Sequence, residues 1–194
     1  MAVGEQAQAT GSQYSVSVGA RSFATVDQAT VVGGAAEGRE TLSVAVGYLA
    51  RVHNAGTGDS SGAIAIGPIA TVGADAGAGC NAAICIGENA SIGVGSTDAF
   101  AAGPGATIGS TSSSVVAIGD GVSVGDNCGF TTAIGGAVSV ATGVANSVIV
   151  GNALTVSNAA ADSSVLIGAS STIDAADQVS IGRFTAANQT GAIA

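Results

Sequence analysis

Runs in which branched apolar residues alternate with small ones recur along the chain, and each closes on a glycine: VSVG (16–19), TVVG (30–33), VAVG (44–47), IAIG (64–67), ICIG (84–87), FAAG (100–103), VAIG (116–119), TAIG (132–135), VIVG (148–151), VLIG (165–168) and VSIG (179–182), with MAVG at 1–4 before them. Successive glycines lie 14 to 20 residues apart. A period of two with Val, Ile and Thr predicts strands, and the glycine with the small residues after it supplies a bend. A second phrase starts three residues after many of these glycines: ARV (50–52), ATV (70–72), ASI (90–92), ATI (106–108), VSV (122–124 and 138–140), LTV (154–156) and STI (171–173). Each unit therefore holds two short strands. Units of this length are too short for a helical repeat or a propeller blade and match one coil of a β-solenoid. Eleven steps of about 4.8 Å make a rod about 50 Å long.

Neighbouring side chains of a strand point to opposite faces. In the second phrase the middle column reads Arg51, Thr71, Ser91, Thr107, Ser123, Ser139, Thr155 and Thr172, polar throughout and therefore expected outside. In the first phrase the outer columns are mainly Val and Ile, which suits the interior of the coil. Its middle column, including Ala45, Ala65, Cys85, Ala101, Ala117, Ala133, Ile149 and Leu166, is then expected to face outward. That strip would be larger than a soluble monomer usually exposes, and it predicts a cyclic oligomer built on those eight residues.

The phrases SVAVG (43–47), AIAIGPIATV (63–72), VVAIGDGVSV (115–124) and SVLIGASSTI (164–173) resemble the head repeats of trimeric autotransporter adhesins, the YadA-like heads. The resemblance covers nearly the whole chain. It implies a left-handed parallel β-roll that assembles as a homotrimer and acts as a rigid display or adhesive rod. The last repeat glycine, Gly182, sets residues 1–182 as one repeat domain and 183–194 as a C-terminal cap or tail, with Phe184 expected to plug the end. The chain opens on a repeat, without a basic, apolar leader, and ends without heptads or an anchor. Read as a whole gene product it is expected to be a virion-surface protein, either a capsid decoration protein or a short fibre, assembled in the host cytoplasm. Its partners are then further copies of itself and a capsid or fibre protein, or a host receptor. The alternative is the adhesive head of a bacterial surface protein, binding matrix protein or glycan.

Composition narrows the chemistry. The 194 residues carry 31 glycines, four arginines, no lysine and 13 acidic residues, for a net charge of −9. Nothing there neutralises a run of phosphates, so nucleic acid is not an expected partner. Mean hydropathy is +0.54, yet polar residues interrupt every apolar stretch well before the roughly 20 residues of a spanning helix, so no membrane insertion is expected. The odd count of three cysteines argues against a closed disulfide framework.

Candidate catalytic groups are sparse. The single histidine, His53, lies in the insertion ARVHNAGTGDSSG, where a triad with Asp59 and Ser60 or Ser61 is conceivable but lacks any nucleophile-elbow context. His53, Cys80 and Cys85 fit no zinc spacing, and Asp120 and Asp126 lack a calcium-roll pattern. No catalysis, metal or cofactor is expected. The column of hydroxyls from Thr71 to Thr172 also fits an ice-binding face, although it is one residue wide and mixes Ser with Thr. Contacts with a partner are expected from the rod ends, the N-terminal one foremost, or from the lengthened segments at 48–62 and 68–83, with Arg51, His53, Asn54, Asp59, Asp75 and Asn81 as candidates.

Overall fold

The structure is a computed structural model, and it describes residues 1–11, 13–53, 61–73, 79–158, 161–187, 191 and 193. The described chain is an all-β parallel solenoid of stacked two-strand coils. The first strands, from Ala2–Val3 to Val179–Arg183, form one twelve-stranded sheet, and the second strands, from Gln8–Ala9 to Ala186–Ala187, form another. All pairings are parallel and in register, so equivalent residues stack in columns: Ala65 beside Cys85, Cys85 beside Ala101, Thr71 beside Ser91. Amides reach along the rod to the carbonyls of the next coil, as Val44 N does to Ala63 O at 3.0 Å and Ile64 N to Ala83 O at 2.9 Å.

The bends continue this ladder. Leu49 and Asn89 adopt φ of 56° and 54° two residues after their repeat glycines. This left-handed conformation aims their amides at Gly34 O and Pro68 O of the preceding coil, at 3.0 and 2.9 Å. The glycine itself is dictated by space. Gly103 has φ +129°, and a Cβ there would lie 2.7 Å from the carbonyl carbon of Gly119 and closer still to its oxygen. Only a residue without a side chain lets the two coils approach so nearly.

The interior is narrow and filled by small and medium residues. From the first strands Ala45, Ala65, Cys85, Ala101, Ala117 and Ala133 point inward with no exposed area, joined by Ile149 and Leu166 towards the C-terminal end. From the second strands come Val52, Val72, Ile92 and Ile108. The second-strand faces match the sequence expectation, and the first-strand faces are reversed. With both sheets contributing to one thin roll, the small column fits inside and the larger Val and Ile columns stand outside.

The roll also extends past residue 182. Ala186–Ala187 pairs with Thr172–Ile173 as the last strand of its sheet, and Val179 bridges Ile193. Phe184 is no plug: it is exposed, with the Arg183 guanidinium 4.5 Å from its ring centre.

Candidate functional site

Three surfaces carry the chemistry of the rod. The first is the outer face of the first-strand sheet. Because the middle column is internal, the outward positions are the two flanking columns, among them Val44, Val46, Ile64, Ile66, Ile84 and Ile86, interrupted by Thr30 and Thr132. Each is partly exposed; Ile66, Ile86 and Ile167 keep 38 to 39% of their surface. The face is about 50 Å long and about 10 Å wide, on the order of 500 Å², at the upper end of the largest apolar patch found on typical monomers. Ala45, Ala65, Cys85, Ala101, Ala117, Ala133, Ile149 and Leu166, expected to form an interface, are therefore core residues that no neighbouring chain reaches.

The second surface is the outer column of the second-strand sheet. Its strands are two residues long, so each presents one side chain outward and one inward, and the hydroxyls of Thr71, Ser91, Thr107, Ser123, Ser139, Thr155 and Thr172 form a track one residue wide. At its N-terminal end this track changes character. Glu37 and Arg51 are register partners, with Phe23 on the other side of Glu37 and Thr71 beyond Arg51. Glu37 Oε2 lies 3.2 Å from Arg39 Nε, and its Oε1 lies 4.0 Å from Arg51 Nη2. Arg39 Nη1 lies 3.3 Å from His53 Nε2, within hydrogen-bond distance. Arg51 Nε is buried without a hydrogen-bond partner. One carboxylate is thus shared by two guanidiniums, one of which also meets an imidazole. Glu37 and Arg39, missed as site residues in the sequence, stand 14 residues before Arg51 and His53, the spacing of Gly33 and Gly47.

The third is a corner groove of about 310 Å³ beside these coils, lined by Glu5, Ala20, Arg21, Gly34, Ala35 and Tyr48. The Tyr48 ring leans over Gly34, where a Cβ would lie 3.5 Å from Tyr48 Cδ2.

Among the remaining candidates, Asn81 acts locally: its Oδ1 accepts from Ser61 N at 3.0 Å and ties adjacent coils. Asn54, Asp59 and Asp75 lie outside the described residues, as does Ser60 of the conceivable triad. Asp126 likewise accepts from Ser110 N, at 2.7 Å. Among the described residues no group of three His, Cys, Asp or Glu side chains is placed to hold a metal, and no helix is long and apolar enough to cross a membrane.

The three thiols are buried. Cys85 takes a place in the alanine column, and burial pushes its pKa up to about 12. Cys80 and Cys128 stand instead in a column with Ser96 and Ser112. There Cys80 Sγ donates to Gly93 O (3.0 Å), Ser96 Oγ to Gly109 O (2.7 Å), Ser112 Oγ to Gly125 O (2.9 Å) and Cys128 Sγ to Ala141 O (3.2 Å). Ser112 Oγ also accepts from Cys128 N at 3.0 Å. Burial raises the pKa of both of these thiols too, against the lowering effect of backbone hydrogen bonds. All three are poor nucleophiles at neutral pH.

Comparison with known protein families and with curated proteins gives no match, so the YadA-like resemblance stands on the repeat phrases alone.

Proposed function

We propose that this chain is a non-enzymatic structural rod that assembles as a homotrimer through the outer face of its first-strand sheet and is displayed on a virion surface, as a decoration protein or short fibre. The observation that carries the assembly is the pair of mainly Val and Ile columns that runs along the rod, broken only at Thr30, Phe100, Ala102 and Thr132 among the strands from Val16–Val18 to Val179–Arg183. A sheet that is apolar on both faces is normally covered on both. Three copies related by a rotation axis parallel to the rod cover one another without leaving a free apolar face. The family resemblance favours the same number and a left-handed coil. Buried thiols that stand in for alanine and serine fit assembly in a reducing cytoplasm, which favours a virion component over a secreted adhesin head. The single-file, mixed hydroxyl track weighs against ice binding. Light scattering on the purified chain tests the assembly, with a trimer expected. Recovery of the chain with purified virus particles from the source culture tests the location, and its absence from them would exclude a virion role.

A further inference from the structure

The second-strand sheet faces away from the proposed contact, and its polar track holds an unusual concentration of cationic groups for so acidic a chain. Residues 1–53 contain Arg21, Arg39 and Arg51 against four acids, whereas the rest of the chain has Arg183 alone against nine. Two of the three N-terminal arginines converge on one spot. Glu37 is only 15% exposed, while Arg39 and Arg51 around it are 46% and 44% exposed. The carboxylate thus lies beneath the guanidiniums, orienting them without confronting what approaches from solvent. It contacts Arg39 closely and Arg51 only at the 4.0 Å limit, so one negative charge is shared by two positive ones.

We infer that the surface formed by Glu37, Arg39, Arg51 and His53 is a seat for a single carboxylate carried on a sugar. A planar fork of N–H donors matches a carboxylate in geometry and charge. The surroundings select the carrier. Along the same column lie Phe23 on one side, partly exposed and able to stack on the apolar face of a sugar ring, and the Thr71 and Ser91 hydroxyls on the other, able to exchange hydrogen bonds with sugar hydroxyls. The charge distribution selects against a dense polyanion: beyond these coils the chain has a net charge of −8, which repels a polymer charged at every unit. The ligand is therefore an acidic glycan with isolated carboxylates, such as one ending in a sialic or uronic acid. This inference does not rest on trimer formation, because one chain carries the whole seat; a trimer presents it three times and gains avidity.

The test uses the full chain on surfaces bearing sialyllactose, its carboxyl-reduced analogue, lactose, or hexaglutamate. Sialyllactose is expected to be bound, and the reduced analogue and lactose to bind at least about tenfold more weakly, the effect of losing hydrogen bonds to a charged group. Arg39→Ala and Arg51→Ala are each expected to weaken binding by about the same factor. Arg183→Ala, at the far end of the rod, is expected to leave it unchanged. Circular dichroism checks the fold, and Arg39→Gln replaces Arg39→Ala if the latter does not fold. The inference is overturned if the reduced analogue binds as well as sialyllactose, if folded arginine variants bind normally, if hexaglutamate competes equally, or if no probe is bound. A trimer that binds none of them would sink this inference alone, and a monomer that binds sialyllactose would sink only the assembly.

Discussion

Ile86→Glu, set beside Cys85→Glu, distinguishes the outer face of the first-strand sheet from its inner face within one strand. Ile86 retains 39% of its surface in the single chain, so completing its burial in a trimer is worth about 1 kcal/mol per subunit, from about 1.5–3 kcal/mol for a whole Ile side chain. A glutamate there keeps its charge in solvent in the monomer, but the contact would bury it near two symmetry copies, at several kcal/mol per ion. The loss is then on the order of 10 kcal/mol per trimer, a factor of roughly 10⁷ in the association constant. Cys85 has no exposed area, and a carboxylate there enters the roll itself. In light scattering with circular dichroism, wild type is expected at three times the 18.0 kDa chain mass, Ile86→Glu as a dissociated but β-structured chain, and Cys85→Glu as unfolded or aggregated. A folded wild-type monomer, or an Ile86→Glu trimer of unchanged melting temperature, would refute the reasoning.

Three further predictions concern the core. The Cys85 thiol is held protonated to about pH 12 in the fold but ionises near 9.0 when unfolded, so stability is fully present below pH 9 and falls above it by about 1.4 kcal/mol per pH unit until about pH 12. Denaturant titrations from pH 8 to 11 should show a slope of this sign that shrinks in Cys85→Ala; an unchanged slope in that variant counts against the assignment. Cys128→Ser should melt within a few degrees of wild type, because serine already serves at Ser96 and Ser112, whereas Ser112→Ala orphans Cys128 N and Gly125 O and should cost about 1–3 kcal/mol in urea unfolding. Gly103→Ala forces the backbone of Gly119 away and should destabilise by about 3 kcal/mol or more; a thermal melt like that of wild type would show that the coils can separate there without penalty.

The repeats were legible because glycine is compulsory where coils touch, and the two-strand coil because Val52, Val72 and Ile92 alternate with Arg51, Thr71 and Ser91. The first strand was misread because all three of its columns are apolar. Hydrophobicity alone does not say whether Val44 and Val46 or Ala45 is inside; side-chain volume does, since the roll admits Ala45 and Ala65 but not two rows of isoleucine. Parity offered a further clue. Ser43 and Ser147 share the face of Ala45 and Ile149, and serine there looks like a solvent residue, yet both are buried, and Ser147 Oγ donates to Ala145 O at 2.9 Å. The Glu37, Arg39, Arg51 and His53 cluster was half legible. Arg51 and His53 stood out as rare residue types, but their partners became visible only once the 14-residue step was used as a register.

The ladder of backbone hydrogen bonds parallel to the rod axis also sets how the molecule bears load. Each coil is joined to the chain only through its two neighbours, so a pull on the two ends does not strain one central set of strands. It acts on the outermost coil, whose bonds open as a zipper while those behind it remain closed. Freeing a coil of about 16 residues releases on the order of 50 Å of chain, about ten times the height that the coil contributed to the rod. Stretched by its termini, a single chain would lengthen in many small steps at nearly constant force, behaving as a spool that absorbs work.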